Sequence, residues 1–467
     1  MGRKVVIIGG GLGGLECGLI LQRNGYDVTL LERNVQVGGC LQSFIRGGRL
    51  FDTGFHYAGG LGEGEPLHIL FQYFGLSDLP WQQLDPECAD EIVIDGKSFP
   101  MATGYDRFVE RLAAFFPSER ESLQEYVAFL KGVGEGIFNA FGSGSVNPLF
   151  ERSASDYLES RFKDPLLRRV LCGPSLRLEM TLELPLYVFA QISNSFIQSS
   201  WRLPGGGSLI ASTLADQLVR AGGKILTGAE VTLVHTVDGL MDYVSASGRE
   251  FKADIVVSDA HPAVTVGLVD PQESMRKVYR ERISGLGNTW GAFTANIVLK
   301  DGRLDYMNRN ISIHEGGREV MVHFYPVSDG SKATHLDLIS PMPFVPREDP
   351  GYQEAKQAKL EECLALASSR LPGLREAIRE VYTSSPATYR RYTLTPLGSA
   401  FGIRKDCSNV AATVLSPRTP VRNLYLTGQS LNLHGLLGVS MTSILTCREI
   451  LGTLPPNLTP FHAQGSI

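Results

Sequence analysis

An α/β fold with a mostly parallel sheet, built from separated pieces of the chain and interleaved with an α+β unit, is predicted from three features of the sequence. Residues from Lys4 to Leu31 run strand, glycine-rich turn, helix, strand. Far downstream, the apolar run Ile255-Val256-Val257 and the segment Asn423-Leu424-Tyr425-Leu426-Thr427-Gly428-Gln429 again read as strands, the second leading into glycine. Between these pieces lie a stretch dominated by helical periodicity and a second stretch of mixed strands and helices.

Lys4 to Ile8 is a short β-branched run, followed by Gly-x-Gly-x-x-Gly at Gly9, Gly11 and Gly14, with Leu12 and Gly13 inside the loop. Gly9 permits the tight turn, Gly11 removes a side chain that would block a pyrophosphate, and Gly14 lets the next helix pack on the sheet. That helix, from about Gly13 to Asn24, points free N–H groups at the loop. Asn24-Gly25 ends it, and Tyr26 to Leu31 forms the second strand. Glu32 then stands where a carboxylate accepts bonds from ribose hydroxyls and repels a 2′-phosphate. Strand, loop, helix and acid together predict a Rossmann-like dinucleotide-binding unit. In NAD enzymes the ribose acid leads on into further βαβ units; here Glu32-Arg33 is followed at once by Gly38-Gly39, then Cys40, Leu41 and Ser43. A second glycine turn behind the first loop suits the extended diphosphate and ribityl chain of FAD. Cys40 has no neighbouring cysteine to resolve it, so it reads as a small residue packed under that chain.

Leu50 to Tyr57 reads as a further strand and turn, and Ala58-Gly59-Gly60 as a loop. From about 66 to 200 helical periodicity dominates, as in Tyr105 to Phe116 and Glu121 to Phe141. The aromatic stripe Phe108, Phe115, Phe116, Tyr126, Phe129, Phe138 and Phe141 reads first as core. Trp201 to Ser208 is a glycine-rich turn into a helix from Leu209 to Ala221, which Gly222-Gly223 ends before a strand including Lys224 to Leu226. Glu230 to Thr236, Asp242 to Ser247 and Ala253 to Ser258 are short strands returning to the nucleotide unit. A mixed stretch from about 275 to 400 holds strands near Ala292–Leu299, Val320–Tyr325 and His335–Ile339, and a helix near Gln353–Leu371. Within it Tyr389-Arg390-Arg391-Tyr392 reads as a surface strand, with a place at a substrate entrance as the alternative for Arg391 and Tyr392. The last elements are the strand before Gly428 and a helix from Val439 to Leu451. The expected division is 1–65, 200–272 and 400–467 for the nucleotide unit, and 66–199 with 273–399 for a substrate-binding helical cap.

Composition narrows the function classes. The 467 residues carry a net charge of −5, which excludes a nucleic-acid footprint. Seven widely scattered cysteines, an odd number without a Cys-x-x-Cys pair, give no disulfide framework or zinc site and fit a reducing compartment. The nine histidines show no ligand spacing, so no metal is expected. No window reaches about 18 consecutive apolar residues, so no transmembrane helix is expected. The apolar run after Arg3-Lys4 is the first strand, with no cleavage site behind it.

Phe51-Asp52-Thr53-Gly54 with His56-Tyr57, the Leu203-Pro204-Gly205-Gly206 turn, and Asn423 to Gln429 with Gly435-Leu436 and Gly438 resemble retinol saturases, carotenoid isomerases and bacterial phytoene desaturases along nearly the whole chain. The resemblance implies non-covalent FAD and chemistry on long conjugated polyenes or isoprenoid lipids. It implies that Gly9, Gly11, Gly14, Glu32, Arg33, Gly38 and Gly39 hold the adenosine and pyrophosphate, with Val231 making a backbone contact to adenine. By the same likeness Gly428 approaches the pyrophosphate, and a helix starting near Gly438-Val439 aims its N-terminus at the flavin pyrimidine edge, where reduced flavin carries negative charge. His56, Tyr57 and His434 are the implied catalytic candidates, each weighed against an ordinary structural role. The helical insertion of such proteins builds a lipid tunnel and dips into membranes, although Glu119, Arg120, Glu121 and Glu125 give this one mixed charge rather than a basic interfacial face.

The expected reaction is therefore hydrogen addition or removal across a carbon–carbon bond of an apolar substrate. The alternatives are a flavin-dependent cis–trans isomerase, a lipid- or prenyl-binding module of related fold, and an amine oxidase, since fold alone does not fix function. The electron partner is open among NAD(P)H, a quinone, oxygen and another flavoprotein. Animal retinol saturases carry an extension ahead of the first strand where this chain begins at Lys4, which points to a cytoplasmic or membrane-peripheral protein. Ser430-Leu431-Asn432-Leu433-His434 departs from the resembling sequences, which leaves the substrate and the direction of reaction open.

Overall fold

The computed structural model describes residues 2–141, 146–173, 177–325, 327, 331–456 and 458, apart from the side chains of 140 and 141. Its central layer is a five-stranded parallel sheet, in the order Lys224–Leu226, Asp27–Leu31, Lys4–Ile8, Ile255–Ser258, Leu424–Leu426. Three distant segments of the chain thus meet in one sheet, as the α/β reading requires. Val5, Ile7, Val28, Leu30, Ile255 and Val257 are almost wholly buried against the helices Leu12–Arg23 and Gly435–Leu451. A smaller four-stranded sheet, Arg249–Lys252, Leu240–Ala246, Val231–Val237 and Val269–Asp270, packs on the other face.

The second large layer is a seven-stranded sheet in the order Ile378–Ser384, Gly291–Leu299, His335–Met342, Arg318–Phe324, Asn310–Glu315, Asp90–Ile94, Lys97–Met101. Its last two strands correct the expectation that residues 66–199 are essentially helical. Asp90–Ile94 and Lys97–Met101 form a hairpin that joins Asn310–Glu315 in parallel register. The turn is Asp95-Gly96, with φ of 48° and 81°, the pairing of residue types that a two-residue hairpin requires. The hairpin's inner residues Ile92 and Phe99 lie in the core that the helical stripe also builds.

Phe108, Phe116 and Tyr126 of that stripe are buried, and Phe108 and Tyr126 line a cavity of about 20 Å³, close to the size of one water. Those three are core, Phe129 and Phe138 are half-buried against it, and Phe115 is exposed; Phe141 lies outside the described side chains. Two further expectations are corrected. Tyr389 to Tyr392 lies not on a surface strand but in the helix Pro386–Thr393, entered through a reciprocal Ser385–Thr388 capping box with proline in its first turn. The C-terminal helix starts at Gly435, one turn before Gly438-Val439. Across the described residues, no helix is long and apolar enough to cross a membrane.

Candidate functional site

A cavity of about 370 Å³ opens outside the carboxyl ends of the parallel strands and reaches to the seven-stranded sheet. This is where open α/β sheets bind ligands. Gly9, Gly11, Leu12, Gly13, Glu32, Arg33, Gly38, Gly39, Cys40, Leu41, His56, Tyr57, Val231 and Val439 all line it. The structure brings together residues more than 400 positions apart in sequence.

Four expected residues do not line it. Gly14 sits one step behind, where a Cβ would lie 2.1 Å from the Gly9 carbonyl oxygen, so its role is helix-to-strand packing. Gly438 lies inside the C-terminal helix against the preceding loop, with a would-be Cβ 2.4 Å from the Leu433 carbonyl carbon. Gly428 lies between the lining residues Thr427 and Gln429, and its would-be Cβ is 2.5 Å from Asp259 Oδ1. His434 stacks on the lining residue Phe401 at 4.2 Å, and its Nε2 bonds to the Arg177 carbonyl at 2.7 Å.

Two helix N-termini face this space. The N-cap positions Gly11 and His434 supply no capping side chain, and Gly11, Leu12, Gly13, Gly435 and Leu436 all line the cavity. Backbone N–H groups and the positive ends of both helix dipoles thus point at one elongated volume, a seat for negative charge. The two helices are packed together, Ser440 Oγ donating to Glu16 Oε1 at 2.5 Å. Glu32 accepts from the Gly10 N–H at 2.8 Å and from the Asn34 N–H at 2.7 Å, which fixes its carboxylate at the cavity wall.

Arg33 Nη1 donates to the Arg391 carbonyl at 2.7 Å and Asn34 Nδ2 to the Tyr392 carbonyl at 3.1 Å. The last turn of the helix Pro386–Thr393 is thereby held against the cavity, with Tyr389, Tyr392 and Leu394 lining it.

The far end of the cavity has different chemistry. His56 and Tyr57 lie in an extended segment between the strands Arg49–Asp52 and Ala58–Gly59, not on a strand of their own. Burial pulls His56 down to about 4, so its imidazole is neutral. Its Nδ1 has no hydrogen-bond partner and stands 3.9 Å from Asp337 Oδ2. Asp337 is fully buried, which pushes it up to about 8. It accepts from Asn296 Nδ2 at 2.7 Å and from the Tyr325 hydroxyl at 2.6 Å. The Tyr325 oxygen in turn accepts from the Asp52 N–H at 2.7 Å, so its own hydrogen is committed to Asp337. Next to His56, the Tyr57 hydroxyl accepts from Arg177 Nε at 2.7 Å, and Arg177 is ion-paired with Asp90. Burial holds Tyr57 far above the usual phenol range. Trp290, Ala292, Ile339 and Phe401 make the rest of this wall apolar.

Sequence reasoning missed Asp259, Asp337, Tyr325 and Arg177. Asp259 follows directly on the strand Ile255–Ser258 and lines the cavity, so its place at a strand's carboxyl end was a readable signal. The others reach the site only through pairings across the seven-stranded sheet and the helical layer. Cys40 lines the cavity with its thiol pushed up to about 11, first by burial and then by Asp259, so it is no thiolate nucleophile. Among the described residues no cluster of His, Cys, Asp and Glu has the geometry to hold a metal ion.

A family model described as flavin containing amine oxidoreductase matches residues 12–451. The chain is 24% identical to an all-trans-retinol 13,14-reductase of Danio rerio, in an alignment covering 96% of this chain and 85% of that protein. It is also 24% identical to the chloroplastic prolycopene isomerase 2 of an Oncidium hybrid cultivar, over 96% of this chain and 84% of that protein. A solved structure of putrescine oxidase bound to putrescine superimposes with a TM-score of 0.67 at 15% identity, over 97% of this chain and 99% of that one, a likeness of fold.

Proposed function

Because the chain belongs to the flavin-containing amine oxidoreductase family, we propose that it is an FAD-dependent oxidoreductase adding or removing hydrogen across a carbon–carbon bond of an apolar polyene or isoprenoid-like substrate. The observation that carries this reading is the cavity's division: two helix N-termini whose own N-cap residues supply no side-chain bond and a ribose-type carboxylate at one end, an apolar wall with a neutral histidine at the other. The full-length likeness to a retinol reductase and a prolycopene isomerase supports the polyene class over the amine.

In this reading the unit made of 1–65, 200–272 and 400–467 holds the cofactor. The amides of the Gly9–Gly13 loop take the diphosphate, Glu32 and Arg33 the adenosine side, and the Val231 backbone the adenine. Gly38 to Leu41 support the ribityl chain, and Gly428 lets the loop before the C-terminal helix come close to the diphosphate. The N-terminus at Gly435, with Leu436 and Val439, meets the flavin pyrimidine. Bound non-covalently, FAD supplies hydride chemistry.

The chain's own residues supply the rest. Trp290, Ile339 and Phe401 exclude water and position the polyene. His56 holds or releases a proton at its ring nitrogens, with Asp337 behind Nδ1 as the group that exchanges it. Tyr57, held in place by Arg177 and Asp90, forms part of the same wall, and His434 supports Phe401. The proposed electron partner, a donor for hydrogen addition or an acceptor for hydrogen removal, is a nicotinamide visiting the same cleft, a quinone, oxygen or another flavoprotein, and the proposed place of work is the cytoplasm or a membrane surface.

A second reading, cis–trans isomerisation with reduced flavin, is favoured by the prolycopene isomerase likeness. Incubation of the flavin-loaded, reduced protein with candidate polyenes tests both. A product mass shifted by two hydrogens supports the first, an unchanged mass with altered retention supports the second, and no product from any polyene opposes both.

A further inference from the structure

The seat at the start of the first helix already holds an acidic side chain, and it belongs to the protein. The Asp259 carboxylate stands beside the backbone of Gly11 and Gly13 at the helix end whose N-cap Gly11 has no side chain, and the amides of Gly11 and Gly14 pull its value down. Its carboxylate is closed in by absent side chains. A Cβ at Gly11 would lie 2.4 Å from Oδ2, and one at Gly13 or Gly428 would lie 2.5 Å from Oδ1. The three glycines that make room for a diphosphate thus surround this carboxylate.

We propose that Asp259 shares the phosphate seat with the cofactor, so that dinucleotide binding takes up a proton there and weakens as the pH rises. The inference rests on the reading of this cavity as the FAD site.

The surroundings favour the proton. Glu32 faces Asp259 from the end of the second strand, Glu16 from the first helix and the Cys40 thiol from the second glycine turn, while His261, two residues on, is held neutral by burial. Burial first, then Glu32, raises Asp259 to about 7 against the pull of the two amides. A diphosphate in the same seat adds negative charge and raises it further. At a pH above about 7 the empty protein carries a carboxylate there and the loaded protein a carboxyl, so one proton enters with the ligand.

The test removes bound flavin from the purified protein and titrates it with FAD and, separately, with riboflavin, which has no phosphate, following flavin fluorescence from pH 6 to 9. FAD affinity is expected to fall roughly tenfold per pH unit above about 7, with no such slope for riboflavin. In Asp259→Asn, which keeps an acceptor for one amide, FAD affinity at pH 8.5 is expected to rise about tenfold or more and the slope to vanish. An FAD affinity that is flat with pH in the unaltered protein, or an Asp259→Asn variant that binds FAD more weakly at every pH, overturns the proposal. The wild-type comparison of FAD with riboflavin decides even if the variant does not fold. Failure to bind either ligand at any pH removes the flavin reading, and this inference with it, a result distinct from flat binding.

Discussion

Single residues set the chemistry at each end of the cavity. At the loop end it is the lack of side chains that matters. Gly11→Asp would place a Cβ 2.4 Å from Asp259 Oδ2 and add a second carboxylate to the seat. The expected outcome is loss of bound flavin, read as the ratio of visible to ultraviolet absorbance after gel filtration. At the other end the pair His56 and Asp337 controls a proton. Asp337→Asn keeps an acceptor for the Tyr325 hydroxyl, turns its N–H groups toward Asn296, whose amide must flip to accept from them, and removes the exchangeable proton. Turnover of an accepted polyene is expected to fall by about 10²-fold, the lower range for general acid–base groups, with flavin content unchanged. The pH profile of the variant should also lose the limb that Asp337 contributes near its value of about 8. A merely structural Asp337 would change flavin content or stability and leave the limb in place. How far the sequence disclosed these residues follows from locality. Gly9, Gly11 and Glu32 lie within one βαβ unit, whose spacing determines their roles. Asp337 meets His56 only because the strand His335–Met342 pairs beside Gly291–Leu299 and Arg318–Phe324, a register that no local pattern encodes.

At the scale of elements, the site depends on how two helices are aimed. The C-terminal helix approaches the preceding loop so closely at Gly438 that a side chain there meets the Leu433 backbone. Gly438→Val is expected to cost about 1–3 kcal/mol by overpacking, measured by denaturant unfolding, and to weaken flavin retention in the same protein because the helix end is turned. Retained affinity in a destabilised variant would detach that helix from the cofactor role. Two elements were misread although their signals stood in the sequence. Asp95-Gly96 between β-branched and apolar residues is a hairpin turn, hidden by the helical periodicity on either side. Ser385-Pro386 is a helix start, whereas the two arginines flanked by tyrosines in 389–392 carry no helical period of their own. The parallel strands and the helix after the first glycine loop were legible because each carries both its period and its punctuation.

For the whole molecule, buried carboxyls make stability depend on pH. Glu16, fully buried between the first and last helices with Oε2 unpartnered, is pushed up by burial to about 8 from an ordinary 4.5. A raised value favours the protonated form in the folded state, so its contribution is complete below pH 4.5 and is lost as the pH rises through 8. The loss amounts to roughly 3–5 kcal/mol at the upper end. Glu16→Gln keeps an acceptor for Ser440 and is expected to flatten the fall of the denaturation midpoint between pH 5 and 8.5. An unchanged slope would place the linked proton elsewhere. The same two helices bring Glu16 and the phosphate loop together, so fold stability and the cofactor seat share one layer.

That layer joins residues 4–31, 224–258 and 424–451, and the three-piece pattern was the most legible feature of the chain because each piece holds a strand with glycine close beside it, at Gly9, Gly222-Gly223 and Gly428. The visible spectrum of the purified protein, before and after anaerobic reduction with dithionite, tests the central claim most directly. Flavin bands that bleach on reduction, with FAD released intact by heat, are the predicted result. A colourless protein that also fails to take up added FAD at acidic and neutral pH would contradict the account.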